Sequence, residues 1–304
     1  MQTFDGLNLY VRAYGPSDAP VTVFLAHCWT ADTELWHYQV RDLLGEFGHQ
    51  IQIVTWDHRG HGLSDHAPMA ACTVTNLGRD FAQLIDTYAP TGDLIFAGHS
   101  IGGMTMMALA EQRPDLVGRV RAALFLATSS DHLNTVTLGL PEMGPKLKAQ
   151  LPRMLGRRAN KIARGHALFP TTERQMLARF LFGPGARARD VGLAMDQLLN
   201  SPSATMEGFL RDMLDNHHRT SALAAYGGKK VTVMVGDRDL LTPINHGRVI
   251  ASAIPGSRFI ILPRAGHMLP LERETTVSAT LNEYVRYALA QPVAANVGVL
   301  SAHR

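Results

Sequence analysis

The chain has 304 residues, of which 46% are hydrophobic and 18% are charged. This composition supplies an ample apolar core and excludes a largely disordered protein. The formal net charge is only +3 and is scattered along the chain, so the composition excludes a strongly basic nucleic-acid-binding protein.

The cysteines and histidines give no sign of a structural metal or disulfide framework. The two cysteines, Cys28 and Cys72, lack C-x-x-C spacing, which is compatible with a reducing compartment. The 14 histidines are dispersed and show no H-E-x-x-H pattern, so we expect no metal site. The N-terminal residues lack a basic segment followed by an apolar one, and no apolar run approaches membrane-spanning length. We therefore expect a cytoplasmic protein without stable membrane insertion.

The first part of the chain alternates between predicted strands and helices. Residues 2–14 alternate loosely around the turn signal Asp5-Gly6, which predicts an N-terminal hairpin. Short apolar runs then predict strands at 21–26, 51–56, 94–97 and 121–127. Amphipathic stretches between them predict helices at 34–47, 73–88 and 101–112. This alternation favours a mostly parallel sheet with right-handed crossovers and helices on both faces.

The alternation stops at residues 130–228, where no convincing strand pattern occurs. Short helical patterns, interrupted by prolines and glycines and rich in leucine, methionine and phenylalanine, fill this stretch. It is too long to be a simple loop, so we expect an inserted helical cap over the carboxyl edge of the sheet. Its apolar side chains would pack on the core, and a minority would line a ligand cavity. The basic cluster at 153–164 fits a solvated helix face, or attraction of an anionic substrate or membrane surface.

The sheet pattern resumes after the insertion. Strands are predicted at 229–235 and 259–262, a helix opened by Pro243, and a closing helix at 274–290. The expected domains are an α/β core in two parts, 1–129 and 229–291, separated by the cap at 130–228 and followed by a flexible tail at 292–304.

The strand ending at Ala97 leads into Gly98-His99-Ser100-Ile101-Gly102, which fits G-x-S-x-G. At a strained strand-to-helix corner a serine has no room for flanking side chains, which explains Gly98 and Gly102. Its hydroxyl would be exposed at the carboxyl end of the sheet, and the N–H of Ile101 would face an oxyanion. Within strand, turn and helix, the pattern indicates a nucleophile.

Two further strand ends carry residue types that can activate a serine. A serine hydroxyl needs an imidazole to accept its proton, and the imidazole needs a carboxylate to fix its tautomer. His267 follows the last predicted strand. Asp239 follows the strand before it, but Asp237 and Asp131 compete for the role of the acid. The spacing G-x-x-D-x-x-x-P favours Asp239.

With these motifs the chain resembles the α/β-hydrolase superfamily, in the group of capped serine esterases and lipases, with C–C-bond hydrolases and cofactor-free haloperoxidases nearby. The matching segments, in order, are His27 with its loop, Asp57-x-Arg59-Gly60-x-Gly62-x-Ser64, Gly98–Gly103, Gly236-x-x-Asp239-x-x-x-Pro243 and Gly266-His267. The resemblance implies Ser100 as nucleophile, Asp239 as acid, His267 as base and a cap at 130–228. It implies no cofactor.

The chain departs from the family pattern at Cys28, where a glycine usually follows His27. The resemblance places the second oxyanion donor on the main-chain N–H of Trp29, beside that of Ile101, and a main-chain donor does not depend on its side chain. We expect His27, Cys28, Trp29 and His99 to contact substrate, although His99 also suits packing. The histidines of the Asp57–Ser64 stretch suit loop architecture, with Asp57 and Arg59 in a structural network.

Three functions stay open from the sequence. The first is hydrolysis of a carboxylic ester, or similar acyl bond, of a hydrophobic small to medium substrate through an acyl-enzyme. The second uses the same triad on a C–C bond, a thioester or a peracid. The third, of another class, is a non-hydrolytic biosynthetic catalyst or a ligand-binding protein on the same scaffold. The expected partner is a small molecule, and the oligomeric state is undetermined.

Overall fold

A computed structural model describes residues 1–135, residue 150 and residues 178–291. The predicted basic cluster at 153–164 and the tail at 292–304 lie outside the described residues. In the described ranges, no helix is both long enough and apolar enough to cross a membrane.

A seven-stranded sheet forms the centre of the described residues. Its strands are β1 (Val11–Tyr14), β2 (Val21–Ala26), β3 (Gln52–Trp56), β4 (Asp93–His99), β5 (Val120–Leu126), β6 (Lys230–Gly236) and β7 (Arg258–Leu262). They lie in the order β1-β3-β2-β4-β5-β6-β7. β1 runs antiparallel to β3, and the other neighbouring pairs are parallel. The predicted mostly parallel sheet is therefore confirmed.

Helices follow the strands at nearly the predicted positions. Within the described ranges they are α1 (His37–Phe47), α2 (Val74–Tyr88), α3 (Ile101–Gln112), α4 (Pro114–Gly118), α5 (Ala188–Asn200), α6 (Ser203–Asp215), α7 (Ile244–Ala253), α8 (Leu269–Glu272) and α9 (Glu274–Leu289). Thr73 caps α2 by accepting a hydrogen bond from the N–H of Asn76. α3 ends before Pro114, which begins α4 because proline suits the first helical position.

The sheet separates two apolar clusters, and β4 contributes to both. Ile95 and Ala97 lie in a cluster with side chains from α1 and α9, whereas Leu94 and Phe96 lie in a cluster with side chains from α2, α3 and α7. Successive side chains of a strand point to opposite faces, so a strand covered on both sides is apolar throughout. Each fully buried Leu or Phe contributes about 2 kcal/mol through area removed from water. Helices on both faces of the sheet are thus confirmed.

The N-terminal region and the start of the first helix differ from their predictions. A single antiparallel bridge joins Gln2 and Asn8 around the predicted turn, but β1 leaves this hairpin and pairs with β3. The helix predicted at 34–47 begins as a 3-10 turn at Thr33–Trp36 before α1. Asp32 caps this turn by accepting a hydrogen bond from the Glu34 N–H at 2.8 Å.

The described part of the stretch between β5 and β6 is helical and is bonded to the core. It contains α5, α6 and 3-10 turns at Leu133–Thr135 and Thr220–Tyr226, and no strand is found in residues 178–228. Gln197 of α5 donates to Asp32 at 2.6 Å. Thr205 of α6 donates to the carbonyl of Gly60 at 3.0 Å.

Candidate active site

Ser100 occupies a strained turn between β4 and α3. Its φ of 55° and ψ of −117° are rare for a residue with a side chain. A Cβ added at Gly98 would lie 2.5 Å from the carbonyl carbon of Gly102, and one added at Gly102 would lie 2.2 Å from the carbonyl oxygen of Ala26. The two glycines are therefore required for close backbone approach, which is the reason the sequence suggests.

Ser100 is nevertheless more buried than the sequence indicates. Ser100 is 8% exposed, whereas the motif predicts an exposed hydroxyl. The adjacent Ile101 lies in an apolar cluster with Phe209 and Met213 of α6, against which Trp29 and Leu133 also pack. Side chains of α6 thus pack against the first residue of the helix that follows Ser100, a contact that the motif cannot show.

Asp239 and His267 meet at the carboxyl ends of β6 and β7. Nδ1 of His267 lies 2.9 Å from Oδ2 of Asp239, and both side chains are buried. Asp239 also accepts hydrogen bonds from the N–H groups of Leu241 and Thr242, at 2.8 and 3.0 Å, and from the Thr242 hydroxyl at 2.7 Å. Burial raises the pKa of Asp239, but the His267 ring and the bonds from Thr242 outweigh it and hold the pKa below its ordinary value.

The two competing aspartates have other partners. Asp131 forms a hydrogen bond with Nδ1 of His218. The carboxylate of Asp237 lies 4.0 Å from the guanidinium of Arg238, and its side chain is about one-third exposed. In the described residues, then, the carboxylate that bonds His267 is that of Asp239.

The backbone of His267 is held on both sides. Its N–H donates to the carbonyl of Leu181 at 2.8 Å, and its carbonyl accepts from Nε2 of His99 at 2.7 Å. The carboxylate of Glu272 accepts the N–H groups of Gly266 and Met268, the neighbours of His267. Glu272 is not among the residues predicted from the sequence. Its signal is weak, a single acidic residue five positions after the histidine.

The hydrogen bonds of the His267 ring in the described residues are made through Nδ1, and none of them joins the ring to Ser100. The His267 ring bonds through Nδ1 to Asp239 and, at 3.4 Å, to the Thr242 hydroxyl. Nε2 bonds no described residue. The rings of His99 and His267 lie 4.9 Å apart, which brings His267 beside the Ser100 turn. Catalytic hydrogen bonds are often formed only when substrate is bound.

Two main-chain N–H groups near Ser100 are unused. The N–H of Ile101 and that of Trp29 donate to none of the residues in the described ranges. Ile101 begins α3, where the helix dipole adds positive potential. The Ile101 and Trp29 side chains pack in one apolar cluster. Both N–H groups thus have their hydrogen-bonding capacity free within the described residues, and their role as oxyanion donors stays a prediction.

The four residues predicted to contact substrate differ in exposure. Trp29 is partly exposed, whereas His27 and His99 are 0% and Cys28 is 4% exposed. Burial, with the His267 ring beside it, lowers the pKa of His99 to about 3. Burial raises the pKa of the Cys28 thiol to about 12, so the thiolate is not available as a nucleophile near neutral pH. Substrate contact through these side chains stays a prediction.

The Asp57–Ser64 stretch is structural, but its charged residues do not form one network. Asp57 accepts the N–H groups of Thr33 and Leu63, both at 2.8 Å. Arg59 instead pairs with Asp80 at 2.6 Å and with Asp5 at 2.7 Å. The Asp57 carboxylate is thus satisfied by main-chain donors, and the Arg59 guanidinium by two other carboxylates.

Within residues 1–135 and 178–291, no three His, Cys, Asp or Glu side chains are grouped in a way that could hold a metal ion. The candidate site instead consists of a strained serine, a buried histidine–aspartate pair and two free N–H donors.

Comparison with known proteins agrees with this geometry. The sequence profile of the alpha/beta hydrolase fold family matches residues 21–274. A pimeloyl-acyl-carrier-protein methyl ester esterase of Neisseria meningitidis is 26% identical over 281 residues, 90% of this chain and 80% of that protein. 3-Oxoadipate enol-lactonase 1 of Acinetobacter baylyi is 36% identical over 104 residues, 34% of this chain and 36% of that protein.

A thermophilic esterase from Thermogutta terrifontis has a similar structure, with a TM-score of 0.72 and 22% identity over 95% of this chain and 96% of its own. Because the identity is only 22%, the structural similarity supports the fold and says nothing about the activity. The profile, by contrast, spans most of the chain, from β2 to the start of α9. Its named relatives include an esterase and an enol-lactonase, and the protein belongs to the α/β-hydrolase fold family.

Proposed function

We propose that the protein is a serine hydrolase that cleaves a carboxylic ester, or a similar acyl bond, of a small to medium hydrophobic substrate. The observation that carries the proposal is the 2.9 Å contact between His267 Nδ1 and Asp239 Oδ2 next to the strained Ser100 turn. A carboxylate oxygen can only accept a hydrogen bond, so Nδ1 of His267 carries the proton. Nε2 is then free to take a proton from Ser100.

In the proposed reaction Ser100 Oγ attacks the carbonyl carbon and His267 Nε2 takes the hydroxyl proton. The N–H groups of Ile101 and Trp29 stabilise the negative oxygen of the tetrahedral intermediate. The intermediate collapses to an acyl-enzyme when His267 gives the proton to the departing alcohol. Water, deprotonated by the same ring, then releases the acid and regenerates Ser100. Asp239 stabilises the imidazolium at each stage.

Support for a hydrophobic substrate comes from the side chains around the Ile101 donor. Trp29, Leu133, Phe209 and Met213 share one apolar cluster with Ile101. An acyl chain beside that donor would bury apolar surface at about 25 cal/mol per Å². We further propose that residues 130–228 act as a cap, since α5 and α6 contact the Trp29 loop and the Asp57–Ser64 stretch. A small-molecule partner and a cytoplasmic location stay predictions.

The proposal is tested with p-nitrophenyl esters of acetate, butyrate and octanoate. Ser100→Ala should lower kcat by about 10⁴-fold or more, because a serine triad acts as a unit. Ser278→Ala is a matched control. It removes another buried hydroxyl, one without a partner in the described residues, and should leave kcat unchanged.

Labelling with a serine-directed fluorophosphonate separates the alternatives. Ester turnover with a label on Ser100 supports the proposal. If Ser100 is labelled but no ester is hydrolysed, Ser100 is still supported as the nucleophile. The substrate would then be a C–C bond, a thioester or a peracid and not an ester. Wild type that is neither labelled nor faster than Ser100→Ala would contradict a serine hydrolase altogether.

A further inference from the structure

The carbonyl oxygen of Ser100 accepts a hydrogen bond from outside its own helix. The hydroxyl of Thr128 donates to this oxygen at 2.7 Å, and both residues are buried. The same oxygen accepts the N–H groups of Gly103 and Met104, at 2.9 and 3.2 Å, as the residue before a helix normally does. The bond from the side chain is the shortest of the three, and it joins the Ser100 turn to the residues that follow β5.

The end of β5 determines where Thr128 lies. Ala127, which precedes it, has a φ of 43°, in the left-handed region, and its N–H donates to the carbonyl of Met234 in β6 at 2.9 Å. The N–H of Ser100 donates to the carbonyl of Leu126, the last residue of β5, also at 2.9 Å. The end of this strand therefore bonds Ser100 twice, at its N–H through Leu126 and at its carbonyl through Thr128.

The Thr128 side chain packs directly against the backbone of α3. A Cβ added at Gly103 would lie 2.7 Å from both Cγ2 and Oγ1 of Thr128. The G-x-S-x-G pattern requires glycine at Gly98 and Gly102 but not at Gly103. The space that Thr128 occupies thus explains the additional glycine, and this contact restricts the rotation of the threonine hydroxyl.

The two residues after Thr128 are bonded to the end of the insertion. The carbonyl of Ser129 accepts a hydrogen bond from Nε2 of His217 at 2.9 Å, and that of Ser130 accepts the N–H of Arg219 at 2.8 Å. Ser129 and Ser130 are both buried. Thr128 therefore lies between two bonded segments, and its hydroxyl is a donor in a fixed place.

A fixed donor matters at Ser100 because the turn is strained. Its φ of 55° and ψ of −117° are rarely adopted by a residue with a Cβ, and such a backbone persists only where its surroundings hold it. A change in ψ would rotate the Ser100–Ile101 peptide and break the bond from Thr128. In a planar trans peptide, the direction of the N–H is set once the C=O is held. The one bond thus fixes the carbonyl of Ser100 and the direction of the Ile101 N–H.

We propose that Thr128 is a positioning residue for the nucleophile, whose hydroxyl holds the Ser100–Ile101 peptide in its strained conformation. The inference rests on the proposed hydrolase function. Thr128 acts through Ser100 and needs no contact with substrate, which agrees with its burial.

Three variants of Thr128 separate its hydroxyl from its methyl group. Valine keeps the shape and loses the donor, serine keeps the donor and loses the methyl group, and alanine differs from serine by the hydroxyl alone. We expect Thr128→Val and Thr128→Ala to lower kcat on p-nitrophenyl butyrate by about 10- to 100-fold with KM nearly unchanged, because small displacements of a reacting group cost rate. Thr128→Ser should stay within about threefold of the wild type, because it keeps the hydrogen bond.

The rate at which the fluorophosphonate labels Ser100 is a second readout, since it reports on the nucleophile without an ester. This rate should fall in Thr128→Val and Thr128→Ala but not in Thr128→Ser. Thr280→Val is the matched control. It removes another buried threonine hydroxyl, one that donates within α9 to the carbonyl of Thr276 at 2.9 Å, and it should keep the wild-type kcat and labelling rate.

Rates are compared per folded protein, with the folded fraction taken from urea unfolding. Wild-type rates in Thr128→Val and Thr128→Ala would overturn the proposal. Equal losses in Thr128→Ser and Thr128→Ala would overturn it as well, because the methyl group would then carry the effect. Wild type that is neither labelled nor active on esters would instead remove the proposed hydrolase function, and this inference with it.

A crystal structure of the phosphonylated wild type covers the case in which Thr128→Val and Thr128→Ala do not fold. The proposal requires the Thr128 hydroxyl to stay within hydrogen-bonding distance of the Ser100 carbonyl while Ser100 carries the label. A separation beyond about 3.5 Å would overturn the proposal, because the hydroxyl would then not hold the peptide.

Discussion

A set of histidines buried as neutral rings should make the protein sensitive to acid. Burial lowers the pKa of His27 and His217 to about 4, and that of His61 and His99 to about 3. Unfolding returns each ring to an ordinary pKa of 6.5. Because the folded pKa is depressed, stability is fully present above pH 6.5 and is lost as the pH falls toward the folded value.

His61 is the residue on which this can be measured. Its ring is 1% exposed, Nδ1 donates to the Arg59 carbonyl at 3.1 Å, and Nε2 has no partner in the described residues. Between pH 7 and pH 5 the unfolded chain takes up a proton at this position that the folded ring does not. With the two pKa values, linkage gives a loss of about 2 kcal/mol from this residue alone.

The assay is urea unfolding of wild type and His61→Asn at pH 7 and pH 5. Asparagine keeps a donor near Nδ1 and does not titrate, and any cavity that it leaves costs the same at both pH values. The wild type should therefore lose about 2 kcal/mol more than the variant on acidification. Thr205→Ala, which removes a neighbouring buried bond to Gly60 but no titrating group, should lose as much as the wild type. If His61→Asn also loses as much as the wild type, burial does not depress the pKa of His61 in the folded protein.

Three further predictions concern strain, a buried ion pair and the thiols. Thr30→Gly should raise the free energy of unfolding by about 1 kcal/mol, because glycine adopts a φ of 64° without strain. Thermal unfolding of the variant and the wild type measures this difference. Asp80→Asn should cost about 3 kcal/mol in urea unfolding, because it removes a carboxylate that pairs with the fully buried Arg59. Cys28 and Cys72 should react with Ellman's reagent at pH 8 only after unfolding, because burial raises their pKa to about 12 and about 11.

Elements whose signals are local can be predicted from the order of the amino acids alone. β2 and β4 are recognisable because strands covered on both faces must be apolar throughout. The Ser100 turn is recognisable because its backbone permits no Cβ at Gly98 or Gly102. Asp239 and His267 are predictable as partners because parallel strands bring their carboxyl ends to one edge of the sheet.

Contacts between segments that are far apart in the chain become known only from the folded structure. The carbonyl of His267 accepts a hydrogen bond from His99, and the carboxylate of Asp212 accepts one from the N–H of Val74. Arg59 forms an ion pair with Asp80 rather than with Asp57. These pairings depend on which polar groups are buried next to each other in the packed core. A buried polar group without a hydrogen-bond partner carries a desolvation cost. For that reason the sequence identifies a candidate nucleophile, whereas the hydrogen bond between the His27 ring and the Cys28 carbonyl is visible only in the folded chain.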